Sequence, residues 1–354
     1  MNRQFIRGVD ISFVDEIETE GGKFYNNNVE VDVIEILKKS GVNSIRLRLW
    51  NDPKGGYCNL ERTIQVAKRI KEHGLHFLLD FHYSDYWADP GKQTKPKEWE
   101  NYSFDELVDA VHDFTRDTIQ SLKNEGVLPN MVQIGNEIIH GMLWDEGRVL
   151  EEGFDDGKQW ENLAQLIKAG LTGLQAAITE EDHVETMVHI DRGGDNEKSR
   201  KFYDKIHELG VEYDVIGLSF YPWWHGKLSD LEHNLSDLSV RYDKDIIVVE
   251  VAYPWTISSD DTDLSFIVNS EDQILEGYPA TVSGQAKYFE DVISIIQNTT
   301  NQNGAGLYYW EPCWIPSKKH WSVEHDNNWA NLTLFDFKGN KLDSLDVFGG
   351  TRKQ

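Results

Sequence analysis

The fold class predicted by this sequence is α/β: a single-domain (β/α)8, or TIM, barrel with long βα loops. Three observations carry that expectation. Short apolar runs alternate with segments of helical periodicity eight times between Phe5 and Glu311. Two of the runs end in a glutamate: Met131-Val132-Gln133-Ile134-Gly135-Asn136-Glu137-Ile138 and Ile246-Ile247-Val248-Val249-Glu250. No internal repeat or linker divides residues 1–354, a length above the usual ceiling for one compact domain unless the fold is a barrel with long loops. Strands alternating with helices make a parallel sheet, and eight such units close it.

The elements follow in order. Residues 5–12 form the first strand, with Asp10 and Ser12 near its end. After an acidic loop rich in Gly and Asn, Val33, Ile34, Ile36 and Leu37 recur at helical spacing over 31–40, and Gly41 supplies the C-cap. Residues 43–50 alternate, with Ile45, Leu47 and Leu49 on one face and Arg46 and Arg48 on the other. A helix over 60–73 comes next. A strand so placed is rarely an edge with one wet face, so both arginines are expected to point into the barrel.

Residues 75–82 make the third strand, and its following loop carries Tyr83, Asp85, Tyr86, Trp87, Asp89 and Pro90. Ser103 as N-cap and Glu106 at the capping-box position start a helix over 103–125. The Pro129-Asn130 turn then opens the fourth strand, over 131–138. A helix over 160–178 precedes strand five (185–191), and a helix over 198–209 precedes strand six (215–224). A helix around 228–242 leads to strand seven, which ends at Glu250. A long insertion over 253–281, a helix over 283–297 and strand eight (304–311) complete the count. The tail, with Asp336 and Gly339-Asn340 turn chemistry, is expected to cross the barrel as its last helix and cap.

Composition narrows the function. Basic residues number 35 against 61 acidic, a net charge of -26 that repels phosphate backbones and anionic membrane surfaces. Nucleic acid and membrane are thus excluded as expected partners, and no apolar run approaches the ~18 residues of a membrane span. The 12 Trp, 14 Tyr and 15 Phe offer faces on which the C–H surfaces of sugars stack, although Trp also serves as core. Cys58 and Cys313 are too few for a disulfide framework; one pairing between them is open to the sequence, and free thiols are the expectation. Residues 1–7 lack the apolar core of a signal peptide. Either the protein is cytoplasmic, or it is secreted, periplasmic or at the cell surface with its leader removed.

Polar or aromatic residues fall at or near most strand C-termini: Asp10, Arg46, His82, Asn136, Glu137, His189, Tyr221, Glu250 and Trp310. Barrel enzymes keep their catalytic groups there. Any one of these residues could instead be a satisfied core hydrogen bond, but packing alone hardly explains the set. Glycosidic cleavage needs two carboxyls, one to protonate the leaving oxygen and one to attack the anomeric carbon or activate water. Glu137 and Glu250 supply the pair. An apolar or like-charged setting would keep the acid protonated, while Arg46 and Tyr221 would favour an ionised nucleophile. Asn136 is placed to bind a ring hydroxyl, and His82 and His189 to orient carboxyls or sugar hydroxyls.

Several segments, spread nearly end to end, resemble the family 53 glycoside hydrolases, the endo-β-1,4-galactanases. They are Gly8-Val9-Asp10-Ile11-Ser12, the run from Ser44 to Pro53, Asp80-Phe81-His82-Tyr83-Ser84-Asp85-Tyr86-Trp87-Ala88-Asp89-Pro90, Gln133-Ile134-Gly135-Asn136-Glu137-Ile138, and Tyr309-Trp310-Glu311-Pro312-Cys313-Trp314-Ile315-Pro316. The Asn136-Glu137 pair is shared across a wide clan of retaining barrel hydrolases, whereas the Ser84–Pro90 and Trp310–Trp314 segments are far more particular. The resemblance implies Glu137 as acid/base, Glu250 as nucleophile, and the β-1,4-galactan of pectic (arabino)galactan or its galacto-oligosaccharides as substrate. It adds Trp50, Asp52 and Trp87 to the substrate-binding candidates, and a monomer is expected.

No cofactor is implied, but some bacterial members hold a structural calcium in the loop after strand seven. Here that loop reads Asp260-Asp261-Thr262-Asp263-Leu264, so Asp261 and Asp263 are the candidate ligands; the later ligands are not obvious, and a solvated acidic loop is the other reading. Residues 318–321 and 326–329 look individual and are expected to shape distal subsites. A mannanase or cellulase of the same clan would share both glutamates, and a non-catalytic glycan-binding barrel would be expected to have lost one.

Overall fold

Eight parallel strands close into a barrel in the computed structural model, which describes residues 4–259, 264–316 and 327–350. They are β1 (Ile6–Asp10), β2 (Ser44–Leu49), β3 (His76–Phe81), β4 (Met131–Ile134), β5 (Glu185–Ile190), β6 (Val215–Phe220), β7 (Asp245–Val251) and β8 (Gly304–Trp310). Each pairs with its sequence neighbours, and β1 closes the ring on β8. Between them run α1 (Val33–Lys39), α2 (Leu60–Glu72), α3 (Phe104–Asn124), α4 (Gly157–Ala177), α5 (Asn196–Glu208), α6 (Leu228–Tyr242) and α7 (Val282–Gln297). The expected (β/α)8 alternation is therefore the observed one. Ser103 and Glu106 form the predicted reciprocal cap of α3.

Apolar side chains divide into two cores. Ile6, Leu78, Met131, Met187, Val215, Ile247, Val249, Ala305 and Tyr308 fill the barrel interior, while the alternate strand residues pack outward under the helices. On β2, Ile45, Leu47 and Leu49 take the helix side and Arg46 and Arg48 turn inward, both fully buried. Only residues paired in the interior could hold two guanidinium groups there.

Two strands run shorter than the periodicity suggests. β4 ends at Ile134, because Gly135 (φ 79) and Glu137 (φ 49) leave the extended region. β6 ends at Phe220, and Pro222, suited to a first helical turn, opens a short helix over Pro222–His225. The tail is a correction: after β8 the described residues hold no α-helix. Asp336 instead accepts from the Lys338 and Asn340 amides at 2.8 Å each, making a tight hairpin. A 3-10 segment, Asp343–Gly349, follows and lies on α7 with Leu345 and Phe348 buried. Its backbone passes so close to Gly41, just ahead of β2, that a Cβ there would meet Phe348 O at 2.4 Å. The tail thus packs against α7 and the turn ahead of β2, by turns in place of the expected helix.

Cys58 and Cys313 are buried free thiols, as expected. Asp261 and Asp263, the calcium candidates, lie outside the described residues, as do Lys318, Lys319, His320, Trp321 and Asp326.

Candidate active site

Arg46 organises the floor of a cleft at the strand C-termini. Its guanidinium spends all five N–H donors on five partners: Nε on Gln133 Oε1 (3.2 Å), Nη1 on Asp10 Oδ2 and Glu250 Oε1 (2.9 Å each), and Nη2 on Asp80 Oδ2 and Asn136 Oδ1 (2.8 Å each). One side chain from β2 therefore locks residues of β1, β3, β4 and β7 and the loop after β4. The buried charge is repaid by three carboxylates, as such a residue requires.

Both glutamates reach the cleft through local breaks in regular strand geometry. Ile247 and Val249 point into the barrel, so strict alternation would turn Glu250 outward. A β-bulge re-aims it: Leu218 pairs with Val248 and Ser219 with Glu250, leaving Val249 as the extra residue. Glu137 sits at φ 49, ψ 45, a left-handed conformation uncommon outside glycine. That turn lets two consecutive side chains, Asn136 and Glu137, both face the cleft.

The two carboxyls have different surroundings. Glu250 accepts from Arg46 and from Tyr221 Oη at 3.0 Å. Burial raises its pKa to about 7; Arg46 and the Tyr221 hydrogen bond pull it down, while Asp80 and Asp10 push it up. Among the described residues no cation stands against Glu137. Ser219 Oγ donates to its Oε1 at 2.6 Å, leaving Oε2 to carry a proton. Burial first, then the charges of Glu250 and Asp191, hold Glu137 well above the usual carboxyl range. When the pair shares one proton, Glu137 therefore keeps it and Glu250 carries the charge.

His189 supports Glu137 from beneath. Its Nε2 lies 2.9 Å from Ser219 Oγ, and its Nδ1 faces the amide hydrogens of Glu137 (3.3 Å) and Gln133 (3.1 Å). Asn136 Oδ1 also lies 3.0 Å from Nδ1; the two N–H donors there, against that one acceptor, favour the ring proton on Nε2. Burial and the charge of Arg46 depress the pKa, so the ring is neutral. Oxygens of Glu137 and Glu250 and a nitrogen of His189 lie within 4.8 Å of one another, the one grouping of metal-ligand type among the described residues. With both imidazole nitrogens committed to the protein, the grouping reads as a carboxyl pair with its support.

The cleft encloses about 440 Å³. Of the predicted residues, Arg46, His82, Trp87, Asn136, Glu137, Tyr221, Glu250 and Trp310 line it. Asp10, Trp50 and His189 lie behind the wall: Asp10 holds Arg46 and the Ser12 hydroxyl, and Trp50 donates to His82 Nδ1 at 3.2 Å. They orient lining residues and do not line the cleft themselves. Asp52 is exposed and outside the lining, its amide tied to Asp85 Oδ1 at 3.0 Å, because the chain has already turned away past β2. Asn136 commits its Oδ1 to Arg46 and one amide hydrogen to Ala88 O, more than a free hydroxyl binder would.

Sequence reading passed over Asp80, Gln133, Ser219, Asp191 and Arg192 as site residues. Alternation on β3 and β4 could have found the first two, since they share the inward face with Leu78 and Met131. Trp87, Trp310, Trp314 and Trp329 form one aromatic wall, with Trp310 and Trp329 edge to face at 4.6 Å. Arg48 lies between Phe13 and Trp87, 4.0 and 4.3 Å from their ring centres, and pairs with Glu311 at 2.9 Å.

The chain is similar to known proteins along nearly its whole length. The chain is 32% identical to an endo-β-1,4-galactanase of Bacillus subtilis (strain 168), covering 98% of this chain and 86% of that one. It is 34% identical to an arabinogalactan endo-β-1,4-galactanase of Thermothelomyces thermophilus, over 97% and 98% of the two chains. The Ignisphaera aggregans GH53 catalytic domain superposes with a TM-score of 0.90 at 39% identity, covering 98% and 96%. A family 10 xylanase at 12% identity and a TM-score of 0.61 shares the fold alone. Residues 6–348 match glycosyl hydrolase family 53 as a whole, and the chain belongs to that family.

Proposed function

We propose that this chain is an endo-β-1,4-galactanase that cleaves (arabino)galactan with retention of anomeric configuration, Glu250 acting as nucleophile and Glu137 as acid/base. The observation that carries the reading is the separation of the pair: oxygens of the two carboxyls come within 4.8 Å. Retaining enzymes place them roughly 5 to 5.5 Å apart, whereas inverting enzymes leave room for a water at about 6.5 Å or more.

In the first step a Glu250 oxygen attacks the anomeric carbon while Glu137 Oε2 gives its proton to the glycosidic oxygen, and the shortened chain departs. In the second, water attacks that carbon and passes a proton to Glu137, releasing Glu250 as carboxylate. Arg46 and Tyr221 hold the charge on Glu250 between turnovers. These steps use carboxyl groups and water, so they call for no cofactor. The substrate assignment rests on the family and on the galactanase names of its members at 32–34% identity. Residues 1–354 act in this reading as one catalytic domain, a monomer, with barrel strands drawn from Ile6 to Trp310. A polymeric substrate suits a secreted or cell-surface setting; among the described residues no helix is long and apolar enough to cross a membrane.

The test is digestion of linear β-1,4-galactan followed at early times by NMR, with mannan and glucan polymers as controls. Initial β-anomers from galactan alone are expected, and initial α-anomers would overturn retention. Glu250→Gln should abolish cleavage with the circular-dichroism spectrum unchanged, and wild-type turnover in that variant would remove Glu250 from its role.

A further inference from the structure

Arg46 and Arg48 stand two residues apart on the inward face of β2, and they are held in opposite ways. Arg46 spends every donor on an acceptor. Arg48 is as deeply buried, yet among the described residues its Nε, Nη1 and Nη2 make no directed hydrogen bond. Its guanidinium lies between the rings of Phe13 and Trp87, 4.0 and 4.3 Å from their centres, with Trp50 at 5.3 Å. The ion pair of Nη1 with Glu311 Oε1, at 2.9 Å, completes its surroundings. A buried cation so sparsely supplied with acceptors is a liability for stability, and such a departure marks a task other than folding.

The anchor is set with equal care. Glu311, just past β8, takes the left-handed conformation (φ 48), a strained one for a glutamate, and its amide donates to Asp10 O at 3.0 Å. That turn brings Oε1 to Arg48 Nη1 and to the Phe13 amide, 3.2 Å away, while Oε2 has no hydrogen-bond partner among the described residues. Burial lifts the Glu311 pKa to about 8, against the pull of Arg48. Charged or neutral, the side chain presents Oε1 to the arginine, because a proton resides on Oε2.

On the far side of the guanidinium is the cleft. Trp87 lines it and keeps 8% of its surface bare, with Trp50 and Phe13 edge to face at 5.3 and 5.5 Å and Trp310 at 5.8 Å. A flat cation over an indole in a water-free wall is a strong orienting contact. The next residue is fastened separately: Ala88 N donates to His82 Nδ1 at 3.0 Å, and Ala88 O accepts from Asn136 Nδ2 at 2.9 Å. The catalytic floor therefore does not depend on Arg48.

We propose that Arg48 is a positioning residue for substrate binding: anchored by Glu311, its guanidinium fixes the Trp87 indole against which a galactosyl ring rests. This rests on the galactanase reading above and adds to it a residue that never touches the sugar.

A double-mutant cycle on linear β-1,4-galactan, read as KM and kcat, tests it. Arg48→Met keeps a straight apolar stem and removes the guanidinium; Glu311 then stays protonated at pH 6, so no bare charge is left in the wall. KM should rise about fivefold, with kcat within a factor of two of wild type. Partly unfolded protein lowers kcat and leaves KM alone, so a merely structural role would not move KM. Trp87→Ala should raise KM about tenfold, and adding Arg48→Met to it should raise KM no further, because the arginine acts through the indole. Arg48→Lys, the second variant should the first fail to fold, keeps the charge without the flat stack and should raise KM about threefold. KM within a factor of two of wild type in the folded Arg48 variants, or in Trp87→Ala, overturns the proposal. Effects that multiply in the double variant overturn it as well, since Arg48 then acts by another route. Wild-type protein that leaves galactan uncut overturns the galactanase reading itself, and the positioning role falls with it.

Discussion

Arg46 Nη1 stands 2.9 Å from Glu250 Oε1, and every other donor of that guanidinium is committed elsewhere. One positive charge thus serves Glu250, Asp10 and Asp80 together. Burial lifts Glu250 to about 7, and Asp80 and Asp10, which share the arginine with it, add to the rise that Arg46 opposes.

Removing the arginine should therefore move an activity limb. kcat/KM should rise with pH as Glu250 loses its proton, near 7 in the wild type, and fall at higher pH as Glu137 does. In Arg46→Gln the neutral form of Glu250 is favoured, so the rising limb shifts upward and activity at pH 6 drops roughly a hundredfold or more. Leaving Asp10 and Asp80 uncompensated should also cost about 3–5 kcal/mol of stability. pH–rate profiles and urea unfolding measure both, and a rising limb that stays put would refute the assignment.

Ser219 touches the other carboxyl. Its hydroxyl donates to Glu137 Oε1, a bond that favours the ionised form. Ser219→Ala should raise the Glu137 pKa further and carry the falling limb of kcat/KM to higher pH, with kcat reduced roughly three- to tenfold as the acid loses its anchor. A limb moving to lower pH would contradict this role.

The aromatic wall should act through binding. Trp310 lines the cleft and packs on Trp329. Trp310→Ala should lower kcat/KM on galactan about tenfold, in KM more than kcat. Initial-rate kinetics with the polymer decide it, and a loss confined to kcat would argue for a direct role in the chemistry.

Away from the cleft, Glu16 is buried near Arg48, and burial lifts its pKa from 4.5 to about 8. The folded protein thus holds this proton more tightly than the unfolded chain. The resulting stability is fully present below about 4.5 and drains away as pH rises toward 8. Glu16→Gln should match the wild type near pH 4.5 and exceed it by roughly 2 kcal/mol at pH 8. Chemical denaturation at the two pH values is the check, and an equal difference at both would sink the explanation.

The sequence by itself determined the barrel and the identity of its central residues. Apolar runs, helical periods and caps are local signals, and β2 announced its inward arginines because alternation is a property of every strand. The same signals failed where regular geometry stops. A period of two cannot foresee the bulge at Val249, without which Glu250 would face the helices, or the left-handed turn at Glu137, which lets Asn136 and Glu137 both face the cleft. The tail was misread as a helix because Asp336 closes a hairpin by side-chain bonds that periodicity does not register. Tertiary structure alone decided that one guanidinium is divided among Asp10, Asp80 and Glu250, and that Ser219 and Asp191 stand against Glu137. Those partners lie tens to hundreds of residues apart in the chain. Their distances, and so the acidity of each glutamate, exist only once the barrel has closed.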